Sequence, residues 1–240
     1  MAVRWLENRN IILVAAGLLA IAIILGGYLL GDGLRRARHA DRAVTVRGLA
    51  ERDVTADLAT WNIIYTEQGS QLGSVQGAIE QDARTIQAFL QRAGFAANEV
   101  SDGGVTVSQY YDSQRGEQNI TVRRRIQLRT ADVMKAREAF ARQFELIRDG
   151  VAIEEGSQMV YSFTRLNDIK PEMIAEATRD ARAGAQQFAQ DSGASVGGIR
   201  SATQGYFSIT ARDGDQYEGS GRDSPFQKVR VVTTIEFYLG

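Results

Sequence analysis

Residues 120–129 read ITVRRRIQLR. Ile120, Val122, Ile126 and Leu128 alternate with Thr121, Arg123, Arg125, Gln127 and Arg129, a period of two that suits an extended strand with one face buried. Helical patterns flank it. Before it, Val75, Ile79, Ile86, Leu90 and Ala93 fall on one stripe at helical spacing and are closed by Gly94. After it, Val133, Ala136, Phe140, Phe144 and Ile147 form a second stripe that stops before Gly150. Strands covered by amphipathic helices predict an α+β fold.

The outer face of this strand carries Arg123, Arg125 and Arg129 in a row. Two readings are open, an anion or nucleic-acid surface and a solvated face neutralised by acidic neighbours or a partner subunit. The second is preferred.

Working outward, Ala43 to Leu49 opens the folded part as a strand ending at Gly48, and a second strand runs from about Val54 to Thr66. Val105, Val107 and the Tyr110-Tyr111 pair make the next strand, and the 112–118 stretch turns the chain. Val151 to Ile153 and Gln158 to Thr164 read as a hairpin about Gly156, with Glu154 and Glu155 at its tip pointing to opposite faces. Asn167 or Asp168 caps a third helix with Pro171 in its first turn and a stripe of Ile174, Ala177, Ala181, Gly184, Ala185 and Phe188. Such small residues let a helix lie close on a sheet. Ile199 to Ile209 is a further strand, and Lys228 to Leu239 closes the chain as a strand that should be central or well paired.

Ahead of the domain, Ile11 to Leu30 is an apolar run of twenty residues with no charge. At about 1.5 Å per residue it reaches roughly 30 Å, the thickness of a hydrocarbon core. Twelve of its positions are Ile, Leu or Val, contributing about −4 to −7 kcal/mol of insertion. The run therefore predicts a retained transmembrane helix, preceded by a cytoplasmic tail (1–10) and followed by an arginine-rich juxtamembrane linker (31–42). Ala22 with Gly26 and Gly27 with Gly31 repeat at spacing four, which suits close helix packing in lipid. Arg35, Arg36, Arg38 and Arg42 behind the run outnumber Arg4 and Arg9 in front, and taken alone would hold the domain in the cytoplasm.

Composition excludes several chemistries. The chain has 28 basic and 29 acidic residues, so no basic excess points to nucleic acid. It has no cysteine, and its one histidine, His39, falls in the linker. Disulfides, Cys nucleophiles, Ser-His-Asp triads and multi-histidine metal sites are thereby excluded from the domain. Phosphate-loop and dinucleotide fingerprints are missing as well. In the polar 212–225 loop, Asp213, Asp215 and Glu218 are candidates for a hard cation through oxygen ligands, although the spacing lacks the full calcium-loop pattern. No catalytic residue and no cofactor is expected.

The order of elements resembles the SIMPL (DUF541) family of bacterial envelope proteins. The resemblance rests on Val44-Thr45-Val46-Arg47-Gly48, on Ala177, Asp180, Ala181, Arg182 and Ala185, and on Val229 to Leu239 after Pro225. One branch of that family is similar to an immunogenic periplasmic Brucella protein that builds a large hollow ring. The family's frequent Pro-Asp after the first strand is replaced here by Thr55-Ala56-Asp57. The resemblance implies a SIMPL-like domain over 43–240, with lobes of about 43–149 and 150–240, largely antiparallel sheets and three main helices. It also implies a domain in the periplasm, on a single-pass anchor in the inner membrane. The expected function is a non-enzymatic, self-assembling envelope or stress-related protein of many subunits, contacting lipid through 11–30. The alternative is a carboxylate-dependent cation- or ligand-binding protein or enzyme using the 212–225 loop.

Overall fold

A computed structural model describes residues 16–31, 42–113, 116–213 and 221–240. Helix α1 covers residues 16–31. There follow β1 (Ala43–Thr55), β2 (Leu58–Gly69), α2 (Leu72–Arg92), a 3-10 turn (Ala97–Glu99), β3 (Val100–Asp112) and β4 (Glu117–Thr130). The second half holds α3 (Val133–Ala141), α4 (Phe144–Arg148), β5 (Gln158–Ser162), α5 (Leu166–Asp191), β6 (Val196–Gln204), β7 (Ser208–Ala211) and β8 (Phe226–Leu239). The fold is α+β with antiparallel sheets. It has two compact units, Met1–Ala50 with Ile174–Gly205 and Val232–Gly240, and Glu51–Met173 with Tyr206–Val231.

In the second unit the strand order is β3-β4-β2-β5. The alternation in β4 buries Ile120, Val122, Ile126 and Leu128, and the facing positions of β2 bury Ala59, Trp61, Ile63 and Tyr65. Helix α2 covers them with Val75, Ile79, Ala83, Ile86, Phe89 and Leu90. Trp61 sits edge-on to Phe89 and Phe140, with ring centroids 6.3 and 5.3 Å away. The stripe expected over 133–147 breaks into α3 and α4, because Arg142 and Gln143 donate back to Ala139 and Phe140, the tighter i−3 pattern. That tightening rotates the next turn. Leu146 is buried, while Phe144 and Ile147, expected to face inward, are exposed. Among the described residues the domain thus has four helices where three main ones were expected.

The segments around Gly156 do not form the expected hairpin. Ile153 makes a single bridge to Tyr65, and β5 pairs with β2. Helix α5 begins at Leu166, before the expected cap, so that Pro171 lies inside it rather than in its first turn. The terminus is served from elsewhere: the Asp57 carboxylate accepts from the backbone N–H of Thr164 at 2.8 Å and of Arg165 at 3.3 Å. β7 pairs with β8 here.

In the first unit, β8 lies between β1 and β6, the central place expected of the last strand. Leu239 donates to Arg42 and, in the second unit, Ala56 donates to Pro225, which fixes β1 as antiparallel to β8. The expected strand 199–209 is two strands, β6 and β7, interrupted where Gly205 donates to Val232. Gly48 does not end β1, which runs to Thr55. It admits α5 instead: a Cβ at Gly48 would lie 1.9 Å from the Ala177 carbonyl oxygen and 2.6 Å from the Ala181 nitrogen. Ala177, Ala181, Ala185 and Ala189, spaced by four, are buried along that contact, whereas Phe188 faces out. Asp180 accepts from the Leu49 N–H at 2.9 Å, and Arg182 stacks over Phe237 at 4.9 Å.

Gly48→Ala is expected to cost about 2–3 kcal/mol by overpacking, measured by denaturant unfolding. Gly77→Ala on the open face of α2, where a Cβ meets nothing within 4 Å, is expected to stabilise by about 0.5–1 kcal/mol.

Candidate functional site

The period of two that makes β4 a strand also places Arg124 on its buried face, between Val122 and Ile126. Its side chain is only 12% exposed. An arginine there needs partners, since an unpaired buried charge is prohibitive. Nη1 bonds Glu80 of α2 at 2.7 Å, and Nη2 bonds Asp102 of β3 at 2.5 Å. Across the strand pair Arg124 stands opposite Tyr65, and Val122 opposite Glu67. Asp82 occupies a buried position on the covering helix. Tyr65, Glu67, Glu80, Asp82, Asp102 and Arg124 therefore gather in one layer between α2 and the sheet.

Three atoms in this layer, Tyr65 Oη, Arg124 Nε and Asp82 Oδ2, are buried without a hydrogen-bond partner. For Asp82 the missing partner is a proton. Burial, then the charge of Glu67 and a hydrogen bond to it, push the Asp82 carboxyl up to about 6. Two facing carboxylates repel, and one shared proton turns the repulsion into a bond. Burial also raises the Tyr65 hydroxyl well above the ordinary range, so it stays protonated. The Arg124 hydrogen bond holds Asp102 below the usual carboxylate range. At Asp57 burial acts upward, but the hydrogen bonds from Thr164 and Arg165 prevail and bring it down.

These groups act on stability in opposite senses. Asp82, raised in the fold, contributes fully below the ordinary carboxylate range and loses its contribution as pH rises through about 6. Asp102 and Asp57, lowered in the fold, contribute above that range and lose it as pH falls through their depressed values. The cluster can take up and release a proton in mildly acidic conditions.

Sequence reasoning passed over these residues. Parity along β4 was the signal for Arg124, and helical spacing from Ile79 to Ile86 was the signal for Asp82. The residues that were singled out lie elsewhere. Asp213 is paired with its neighbour Arg212 at 3.1 Å and its side chain is 75% exposed; Asp215 and Glu218 fall outside the described residues. At the edge of β5 the Arg222 carbonyl accepts from the Tyr161 N–H at 2.7 Å. In the outer row, Arg123 pairs with Glu154, an acidic neighbour of the kind expected. Ala22, Gly26, Gly27 and Gly31 lie on α1, where a Cβ at any of the three glycines would meet open space.

The chain matches the SIMPL family, described as a protein of unknown function (DUF541), over residues 44–237. The chain belongs to the SIMPL family. The SIMPL match runs from β1 to β8, so both sheets, helices α2 to α5 and the cluster around Arg124 lie inside it, while α1 lies ahead of it. No curated protein matches the chain.

Asp82→Asn removes the charge while keeping a donor for Glu67. In denaturant unfolding it is expected to stabilise the domain by about 1–2 kcal/mol at pH 7.5, where the raised carboxyl is ionised against Glu67 and solvent at the pair's edge screens part of the repulsion. At pH 4.5 the gain is expected to vanish.

Proposed function

We propose that this SIMPL protein is a non-enzymatic envelope protein, anchored in the bacterial inner membrane by residues 11–30, with its domain in the periplasm and many copies joined into a ring or cage. The observation that carries this reading is α1, in which every described residue is exposed, including Leu18, Leu19, Ile21, Ile23, Ile24, Leu25, Leu29 and Leu30. Water does not tolerate such a surface, and lipid or a bundle of like helices does. Among the described residues no helix is long and apolar enough to cross a membrane. The described part of the run is sixteen residues, about 24 Å, and positions 11–15, which would complete a span, lie outside the described residues.

Many copies on one particle would make attachment effectively permanent, since each further anchor binds at high effective concentration. The open space around Gly26, Gly27 and Gly31 supports close packing of neighbouring anchors. Both flanking arginine groups are short-range signals, and a long following domain crosses largely regardless of them.

Two readouts on one preparation test this. Protease added to spheroplasts is expected to remove the domain, and the detergent-solubilised chain is expected to have the mass of many copies. A protected domain, or a monomer at micromolar concentration, would contradict the proposal.

A further inference from the structure

Strand β3 ends its sheet: it pairs with β4 on one side, and among the described residues no strand pairs with the other. Natural edge strands are blunted by lysine, proline, inward charges or bulges. β3 has a bulge between Asp102 and Val105, but from Val105 to Asp112 its register with β4 is unbroken. From Gly103 to Tyr111 it contains no charge and no proline. Val105, Val107, Tyr110 and Tyr111 are 55%, 49%, 65% and 63% exposed. This is a regular, neutral, β-prone edge left open.

We infer that this edge is an interface between copies: β3 of one chain pairs antiparallel with β3 of a second, about a twofold axis at Ser108. The inference rests on the self-assembly proposed above. The strand is self-complementary in that register. Residues opposite one another share a face, so Val105 meets Tyr111 and Val107 meets Gln109 on one side, and Thr106 meets Tyr110 on the other. No like charges oppose across residues 105–111. Aromatic side chains bury about 150–250 Å² each, so two half-exposed tyrosines and two valines supply on the order of 400–500 Å² per copy. That is over half of the roughly 800 Å² per partner in a standard interface, before the ladder's backbone is added. An isologous contact closes on itself and yields a pair. A larger ring is therefore built from such pairs through a second contact.

The chain has no cysteine, so single cysteines report without background. In the full chain in detergent, Ser108→Cys is expected to form a covalent dimer under mild oxidation, because Cβ atoms of directly opposed residues lie within disulfide reach. Thr203→Cys on β6 is the control and is expected to give none. Val107→Lys, which sets two charges near the axis, is expected to lower the particle mass at least twofold with an unchanged circular dichroism spectrum. A wild-type assembly in which Ser108→Cys stays uncrosslinked overturns the β3 interface and leaves self-assembly standing. A wild-type monomer overturns both. Crosslinking only between Ser108→Cys and a cysteine on β6 of another copy also overturns the twofold arrangement.

Discussion

One guanidinium ties three elements of the larger unit together. Arg124 rises from β4, holds the edge strand β3 through Asp102 and holds the covering helix α2 through Glu80. The two acids are about half exposed, 57% for Glu80 and 49% for Asp102, so solvent screens each pair, and removing one acid leaves Arg124 bonded to the other. The clamp acts where β3 is weakest, beside the Gly103-Gly104 bulge, and a side chain at Gly103 would run into the stem of Arg125. The regular ladder beyond the bulge, and hence the open edge, depends on that hold.

The same clamp sets the ionisation of its surroundings. Asp102 is held below the usual carboxylate range by its hydrogen bond from Arg124. Asp82 lies in the same layer without such a partner, and burial followed by the charge of Glu67 pushes its carboxyl up to about 6. The layer therefore holds two kinds of carboxylate, Asp102 lowered by its bond to Arg124 and Asp82 raised by burial and by Glu67.

How much of this was legible in the sequence differs by element. Alternation in residues 120–129 and the strength of residues 228–239 read correctly, because burial of one sheet face leaves a period-two mark. Phase within helices read less well. Phe144 and Phe188 were assigned inward on spacing alone, yet Leu146 and Ala189 take those places: a 3-10 turn shifts the first, and the close approach of α5 to Gly48 leaves room only for alanine in the second. Gly48 itself looked like a stop and is a contact. The candidate site was hidden for a related reason, since a charged residue inside an apolar face is easily discounted unless parity is applied strictly. Its partners lie on β3, α2 and β2, and they are brought together by the pairing of those strands with β4 and by the packing of α2 on the sheet.

An apolar helix ahead of the family domain and an uncharged open edge within it both expose surfaces that water penalises. Under the proposals above, both would be relieved by further copies of the same chain on a membrane. Amide hydrogen exchange of the full chain in detergent, read along β3, tests this account most directly. Slow exchange at residues 105–111 on both the β4-facing and the free-edge amides is predicted, equal to that of β4. Fast exchange at every second amide of that stretch, as in a lone edge strand, would contradict it.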